Sequence, residues 1–338
     1  MSLNILSSHF DAAKVGSVFR VDYAGLAQKA IDDAAKFNIS PAEADHKRTA
    51  LVLIDVQNSF CTPGFELFVG GQSGNAAVED NIRLCRFIYN NLGTISEITA
   101  TLDTHRSAQV FHPLFFVGSN GQHPAPYTDI HHHDLTSGKW RFNPALASRL
   151  GISAQFGQDQ VLDYTKKLEA KGKYALTIWP YHAMLGGIGH ALSSSVEEAA
   201  FYHSMLRGAN FDLRIKGDNS FTENYSALSP EVVQGLNNTT LGVEDDAIFT
   251  QLRRSDRMVI AGQAKSHCVA WTVEDLLLQI NHADKELAKK VYLLEDCTSP
   301  VVVPGVVDHS AAADTAFERF ASAGMHIVRS TTPMEEWD

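Results

Sequence analysis

The stretch Met258-Val259-Ile260-Ala261-Gly262-Gln263-Ala264-Lys265-Ser266-His267-Cys268-Val269-Ala270-Trp271 runs from a continuous apolar segment into one with helical spacing, and sets a cysteine at the joint. A thiol in the first turn of a helix feels unpaired backbone N–H groups and the positive end of the helix dipole, and both favour the thiolate. The same corner also suits a small packed residue, because free cysteine is among the most buried residue types. The stretch alone admits both readings of Cys268. As a fold signal it is a strand passing directly into a helix, the repeating unit of an α/β sheet.

The same unit recurs on either side. Residues 49–56 form a near-continuous apolar run, as in a parallel strand buried on both faces, with Asp55 at its carboxyl end. A helix over 76–91 carries Val78, Ile82, Cys85 and Ile88 on one face. The strand over 97–103 ends on Asp103, with His105 two residues later. A helix over 195–207 leads to a strand over 211–216 that ends on Lys216, after which Gly217-Asp218-Asn219-Ser220 turns away. Beyond Cys268 come a strand at 290–296, a helix near 308–323 and a strand at 326–329. The alternation predicts an α/β fold: three αβα layers around a mainly parallel central sheet, in one domain over 47–338. Before it, residues 1–46 read as an N-terminal helical arm, with Tyr23, Leu26, Ala30, Ala34 and Phe37 at helical intervals and Pro41 ending the helix.

Between about 106 and 178 the rhythm breaks into prolines, aromatics and histidines, apart from a helical pattern over 158–171 through Val161, Leu162, Tyr164 and Leu168. This long insertion is expected to be irregular and to serve as a lid, pocket wall or assembly surface. The run His131-His132-His133 is metal-like in composition, and we expect a solvated loop there.

Composition excludes several classes. A net charge of −11 without a dense Lys/Arg run argues against nucleic acid or an anionic membrane as partner and favours a small neutral or polar substrate. Cys61, Cys85, Cys268 and Cys297 show neither metal spacing nor a disulfide framework, which points to reduced thiols and a cytoplasmic location. The first residues lack the flank and apolar centre of a signal peptide, and no apolar run approaches membrane-spanning length.

Asp55, Lys216 and Cys268 each lie at or just past the carboxyl end of a predicted parallel strand, so they can meet on one edge of the sheet. A carboxylate can take a thiol proton and pass it to a leaving amine, while an ammonium stabilises the thiolate. Taken singly, Asp55 is equally a turn or capping carboxylate and Lys216 a solvated strand end. Asp103-Thr104-His105 offers oxygen and nitrogen at a spacing suited to a metal, or to a structural hydrogen-bonded pair.

The ordered segments Leu53-Ile54-Asp55-Val56-Gln57-Asn58-Ser59-Phe60, Leu102-Asp103-Thr104-His105, Trp179-Pro180-Tyr181-His182, Lys216-Gly217 with Tyr225-Ser226-Ala227, and Ala264-Lys265-Ser266-His267-Cys268-Val269 resemble the motifs of the isochorismatase-like cysteine hydrolases. Within that superfamily they are most similar to nicotinamidases, with matches running from about residue 49 to 330 but not covering the arm or most of 106–178. The resemblance implies an isochorismatase-like hydrolase fold and a catalytic triad of Asp55, Lys216 and Cys268. It implies a cis peptide between Gln263 and Ala264, with an oxyanion hole from the N–H groups of Ala264 and Cys268. One divalent metal ion would be held by Asp103, His105 and His182, zinc first, with iron or manganese as alternatives. Phe60 and Trp179 would wall the substrate ring. The implied reaction converts nicotinamide and water to nicotinate and ammonia through a Cys268 thioester, a step of pyridine nucleotide biosynthesis, and by analogy the protein would be a homo-oligomer. Two other readings stay open: a hydrolase of another carbamoyl, ureido or aromatic amide, and a non-catalytic ligand-binding or assembly protein on this scaffold. His112 suits either a further ligand or packing. Two features depart from the pattern, the cation Lys265 in the cysteine loop and the length of the 106–178 insertion.

Overall fold

Strand β1, Thr49–Ile54, is wholly buried, and with both faces covered it needs no polar alternation. It lies inside a six-stranded sheet completed by β2 (Ile95–Asp103), β3 (Phe211–Lys216), β4 (Arg257–Gly262), β5 (Val291–Leu294) and β6 (His326–Val328). The strand order is β6-β5-β4-β1-β2-β3 and every pair is parallel. This computed structural model describes residues 9–172, 174–217 and 219–337. The first eight residues of the expected arm, and Asp218 of the expected turn, lie outside the described residues.

The longer helices are α1 (Tyr23–Phe37), α2 (Ala76–Asn90), α3 (Ala154–Ala170), α4 (Ser194–Arg207), α5 (Ala247–Arg254), α6 (Ala270–Ala283) and α7 (Ser310–Ser322). From β1 the chain steps outward through α2 to β2 and through α4 to β3, and α2 packs on α4. It then returns past the centre to β4 and steps the other way, through α6 to β5 and α7 to β6, with α6 and α7 packed together. Right-handed crossovers running in opposite directions put the two helix sets on opposite faces, which makes the three layers. The order reverses between β1 and β4. There the loops leaving the two strands diverge and open a crevice at the carboxyl end of the sheet, so the segments after Ile54 and after Gly262 flank one cleft.

Helix α1 docks on α4 with Leu26 and Ala30 buried, and its buried Asp33 accepts hydrogen bonds from Tyr202 Oη (2.6 Å) and Lys29 Nζ (2.9 Å). The 106–178 insertion is more ordered than expected. Phe116–Val117 pairs with Arg141–Phe142, and Asp129–Ile130 with Leu176–Thr177, both antiparallel. Helix α3 begins four residues before the expected start because the Ser153 side chain caps it, accepting from the Phe156 N–H at 3.1 Å. The histidine run is not a loop: His131 caps a short helix, His132–Thr136, with Asp134 accepting the His131 N–H at 3.0 Å. Helix α5 was not anticipated, since eight residues are too few for a helical period to stand out. Among the described residues no helix is long and apolar enough to cross a membrane.

Gly262 closes β4 with φ at 124°, and a Cβ there would stand 2.0 Å from the Ile54 carbonyl oxygen. Gly262→Ala should therefore force β1 and β4 apart where they frame the cleft. We expect a loss of about 3 kcal/mol or more in urea unfolding; a loss below about 1 kcal/mol would mean the two strands are not so tightly apposed.

Candidate active site

Asp55 leaves β1 with φ at 47°, the left-handed region that a non-glycine residue adopts only when its surroundings hold it. Thr101 on β2 does the holding: its Oγ1 accepts the Asp55 N–H at 3.0 Å and donates to Asp55 Oδ1 at 2.5 Å. The turned carboxylate puts Oδ2 3.1 Å from Lys216 Nζ. Lys216 comes from the end of β3, two strands away, and its ammonium also reaches Asp103 Oδ1 (2.9 Å), the Asn224 carbonyl (2.6 Å) and Cys268 Sγ (3.6 Å). All four side chains are buried.

Cys268 arrives from β4 through a cis peptide between Gln263 and Ala264 and a π-helical turn, Lys265–Val269, that runs into α6. The loop is pinned at several points. Gln263 N–H donates to the Ile54 carbonyl (2.8 Å) and its side-chain amide to buried Asp80 (2.9 Å), while Ser266 Oγ accepts the Val301 N–H (3.0 Å). Lys265 does not approach the thiol: its ammonium pairs with Asp314 on α7 at 2.7 Å and lies over the Phe317 ring.

Burial disfavours every charge here, and the pairings decide the outcome. It works against the Lys216 ammonium, but Asp103 and Asp55 outweigh it and hold Lys216 well above the usual lysine range. Burial pushes Asp103 upward, yet His105 and Lys216 bring it well below the usual carboxylate range. Asp55 is raised by burial, which Lys216 only partly offsets, and the Cys268 thiol is raised chiefly by burial against the pull of Lys216. The resting arrangement is thus a neutral thiol beside a carboxyl of raised proton affinity and a fixed ammonium.

Asp103, His105 and His182 form a second cluster whose ligand atoms all lie within 4.8 Å of one another, all three residues being buried. His105 Nδ1 meets the His182 carbonyl at 3.0 Å and His182 Nδ1 meets the Pro180 carbonyl at 2.7 Å. A carbonyl only accepts, so each Nδ1 carries the proton and each Nε2 offers its lone pair. Those lone pairs face Asp103 Oδ2, at 3.1 Å from His105 and 3.5 Å from His182. His105 Nε2 is a buried nitrogen without a hydrogen-bond partner. Three acceptors turned on one point, one of them orphaned, fit a cation. His112 stands outside this group: its Nδ1 accepts the Gln109 N–H at 3.3 Å, its ring lies against Tyr181, and burial lowers its pKa to about 3.

A cleft opens between the two clusters, with Asp103, His182, Ala264 and Cys268 in its wall. Phe60 and Trp179 line it, and Trp179 Nε1 donates to Tyr225 Oη at 3.0 Å. Sequence reasoning missed His267, Tyr225 and Glu223. Tyr225 was visible in the Tyr225-Ser226-Ala227 motif without a role, and His267 as the neighbour of Cys268. Ser266 Oγ lies 2.8 Å from His267 Nδ1 and turns that ring into the cleft. Burial, reinforced by Asp103, pushes the Glu223 carboxyl up to about 8.

The sequence matches no protein-family profile and no curated protein. Solved structures do resemble it. A nicotinamidase/pyrazinamidase from Acinetobacter baumanii superposes with a TM-score of 0.50 at 19% identity, over 84% of this chain and 96% of that one. The yeast nicotinamidase gives 0.50 at 18% identity, over 83% and 99%. The same yeast protein bound to the inhibitor nicotinaldehyde gives 0.51 at 17%, over 83% and 99%. Nicotinamidases belong to the isochorismatase-like superfamily, and the six-stranded parallel sheet between two helical layers described above is the isochorismatase-like hydrolase fold.

Proposed function

We propose that this protein is a metal-assisted cysteine amidohydrolase that acts on a carboxamide borne by a planar ring, with nicotinamide as the first substrate to test. The observation that carries this reading is the position of Lys216 Nζ, 3.1 Å from Asp55 and 3.6 Å from Cys268, whose side chain lines an aromatic cleft. The likeness in fold to nicotinamidases supports it.

Asp55 accepts the thiol proton as Cys268 Sγ attacks the amide carbon, and Lys216 balances the negative charge that moves between sulfur and carboxylate. The carbonyl electrons go to oxygen, where the N–H groups of Ala264 and Cys268 receive them. Collapse of the tetrahedral adduct expels the amide nitrogen, which takes the proton from Asp55 and leaves as ammonia. Water then adds to the thioester with Asp55 as base, releasing the carboxylic acid and restoring the thiol. Asp103 Oδ2, His105 Nε2 and His182 Nε2 would hold a divalent cation, and one oxygen with two imidazole nitrogens suits zinc, iron or manganese. When bound, such a cation supplies an electrophilic anchor for a ring nitrogen. Phe60 and Trp179 stack the ring and exclude water around the carboxamide.

Ammonia release from nicotinamide should be measurable and should fall on treatment with a chelator; no release from any of a panel of amides would end the hydrolase reading. Cys268→Ala should lower turnover by at least about 10³-fold, since the nucleophile and its chemistry are lost together. Metal content should stay as in the wild type in that variant and be lost in His182→Ala. Wild-type rates in the first, or an unchanged ion in the second, would remove that residue from its role.

A further inference from the structure

A second cavity adjoins the cleft and shares Trp179 as a wall. Its remaining lining comes from the 106–178 insertion, through Tyr127, Asp129, Tyr174 and Thr177, and from the segment before α7, through His309. Pairing of Asp129–Ile130 with Leu176–Thr177 brings these residues together, and Thr177 Oγ1 donates to Asp129 Oδ1 at 2.7 Å. The chamber is fastened to the cysteine loop: Tyr174 Oη donates to the Ser266 carbonyl at 3.0 Å, and the Tyr174 and His309 rings both rest on His267.

The chemistry of this lining is specific. Three aromatic rings, Tyr127, Tyr174 and Trp179, line a space whose acid is Asp129, and among the described residues no lysine or arginine lines it. Burial lowers the pKa of His309, although Asp129 and Asp308 oppose that shift, so His309 adds no positive charge near neutrality. Aromatic faces with one carboxylate form the pattern that binds alkylammonium groups, by ring quadrupole and charge together. A chamber for an anion or a purely apolar group would not place Asp129 there.

We propose that this chamber takes a cationic amine, the tail of a substrate whose carboxamide end sits at Cys268. The inference rests on the amidohydrolase reading and narrows its substrate class to an aromatic carboxamide with an alkylammonium arm. A lone nicotinamide ring fills only the inner cleft.

Two measurements test it. The first is hydrolysis of a nicotinamide derivative with a ring aminopropyl arm against its neutral butyl counterpart. A cation held by aromatic faces and a carboxylate is worth about 1–2 kcal/mol, so kcat/KM should favour the amine by about tenfold. In Asp129→Asn, whose amide oxygen still accepts from Thr177, that ratio should fall toward one. An equal rate for both amides in the wild type, or an unchanged ratio in the variant, overturns the proposal. The second is titration of the intact protein with butylammonium, followed by tryptophan fluorescence and calorimetry, which needs no turnover. Saturable binding that Asp129→Asn weakens by about tenfold supports the chamber even if no amide is cleaved, in which case the hydrolase reading alone fails. Absence of saturable binding in the wild type overturns the chamber, whatever the enzyme hydrolyses.

Discussion

The site depends on one buried ammonium. Lys216 is taken out of water at a cost that only paired charges can offset, and Asp55 and Asp103 supply them from two neighbouring strand ends. Because both carboxylates answer to one cation, the Asp55–Cys268 pair and the Asp103–His105–His182 cluster are not independent. Asp103 gives one oxygen to Lys216 and the other to the two imidazoles, so it is the shared member of both groups. Loss of the lysine would leave two carboxylates buried side by side with no counter-charge, and one would have to take up a proton.

The sheet makes this meeting possible. Register sets Asp103 directly opposite Lys216, while Asp55 and Gly262 leave the two central strands side by side. The supports behind them are short and local. Thr101 holds Asp55 in its left-handed turn, Gln57 bonds both backbone groups of Asp103, and Asp80 holds Gln263. Each support is a polar side chain wholly inside the protein, satisfied by the group it positions.

Much of this was legible from the chain, and the reasons differ by element. Apolar runs such as 50–54 and 258–261 announce buried parallel strands because no polar residue interrupts them. Asp55, Lys216 and Cys268 were legible as residues at or just past the carboxyl ends of three expected strands, which put them on one edge of the sheet. The insertion was opaque because its order comes from strand pairs of two residues each and a serine cap, signals too short for periodicity to register. Glu223 and His267 were missed because their place in the cleft depends on tertiary packing, with His267 turned inward by its Ser266 neighbour. The length of the Lys265 side chain carried no information about its direction, which its pairing with Asp314 on a helix some fifty residues later decides.

The central position of β1 also bears on how the chain comes into being. One of its neighbours, β2, follows within a few tens of residues, but the other, β4, lies about 200 residues further on. At a synthesis rate of roughly 5–20 residues per second, β1 waits on the order of ten seconds or more beside the ribosome with one edge unpaired. That edge is a wholly apolar strand, Ala50 to Ile54, of the kind that pairs readily with other chains. Placing Asp55 and the Cys268 loop at the ends of the two innermost strands thus obliges the nascent protein to keep its most adhesive segment shielded until some 200 further residues have been made.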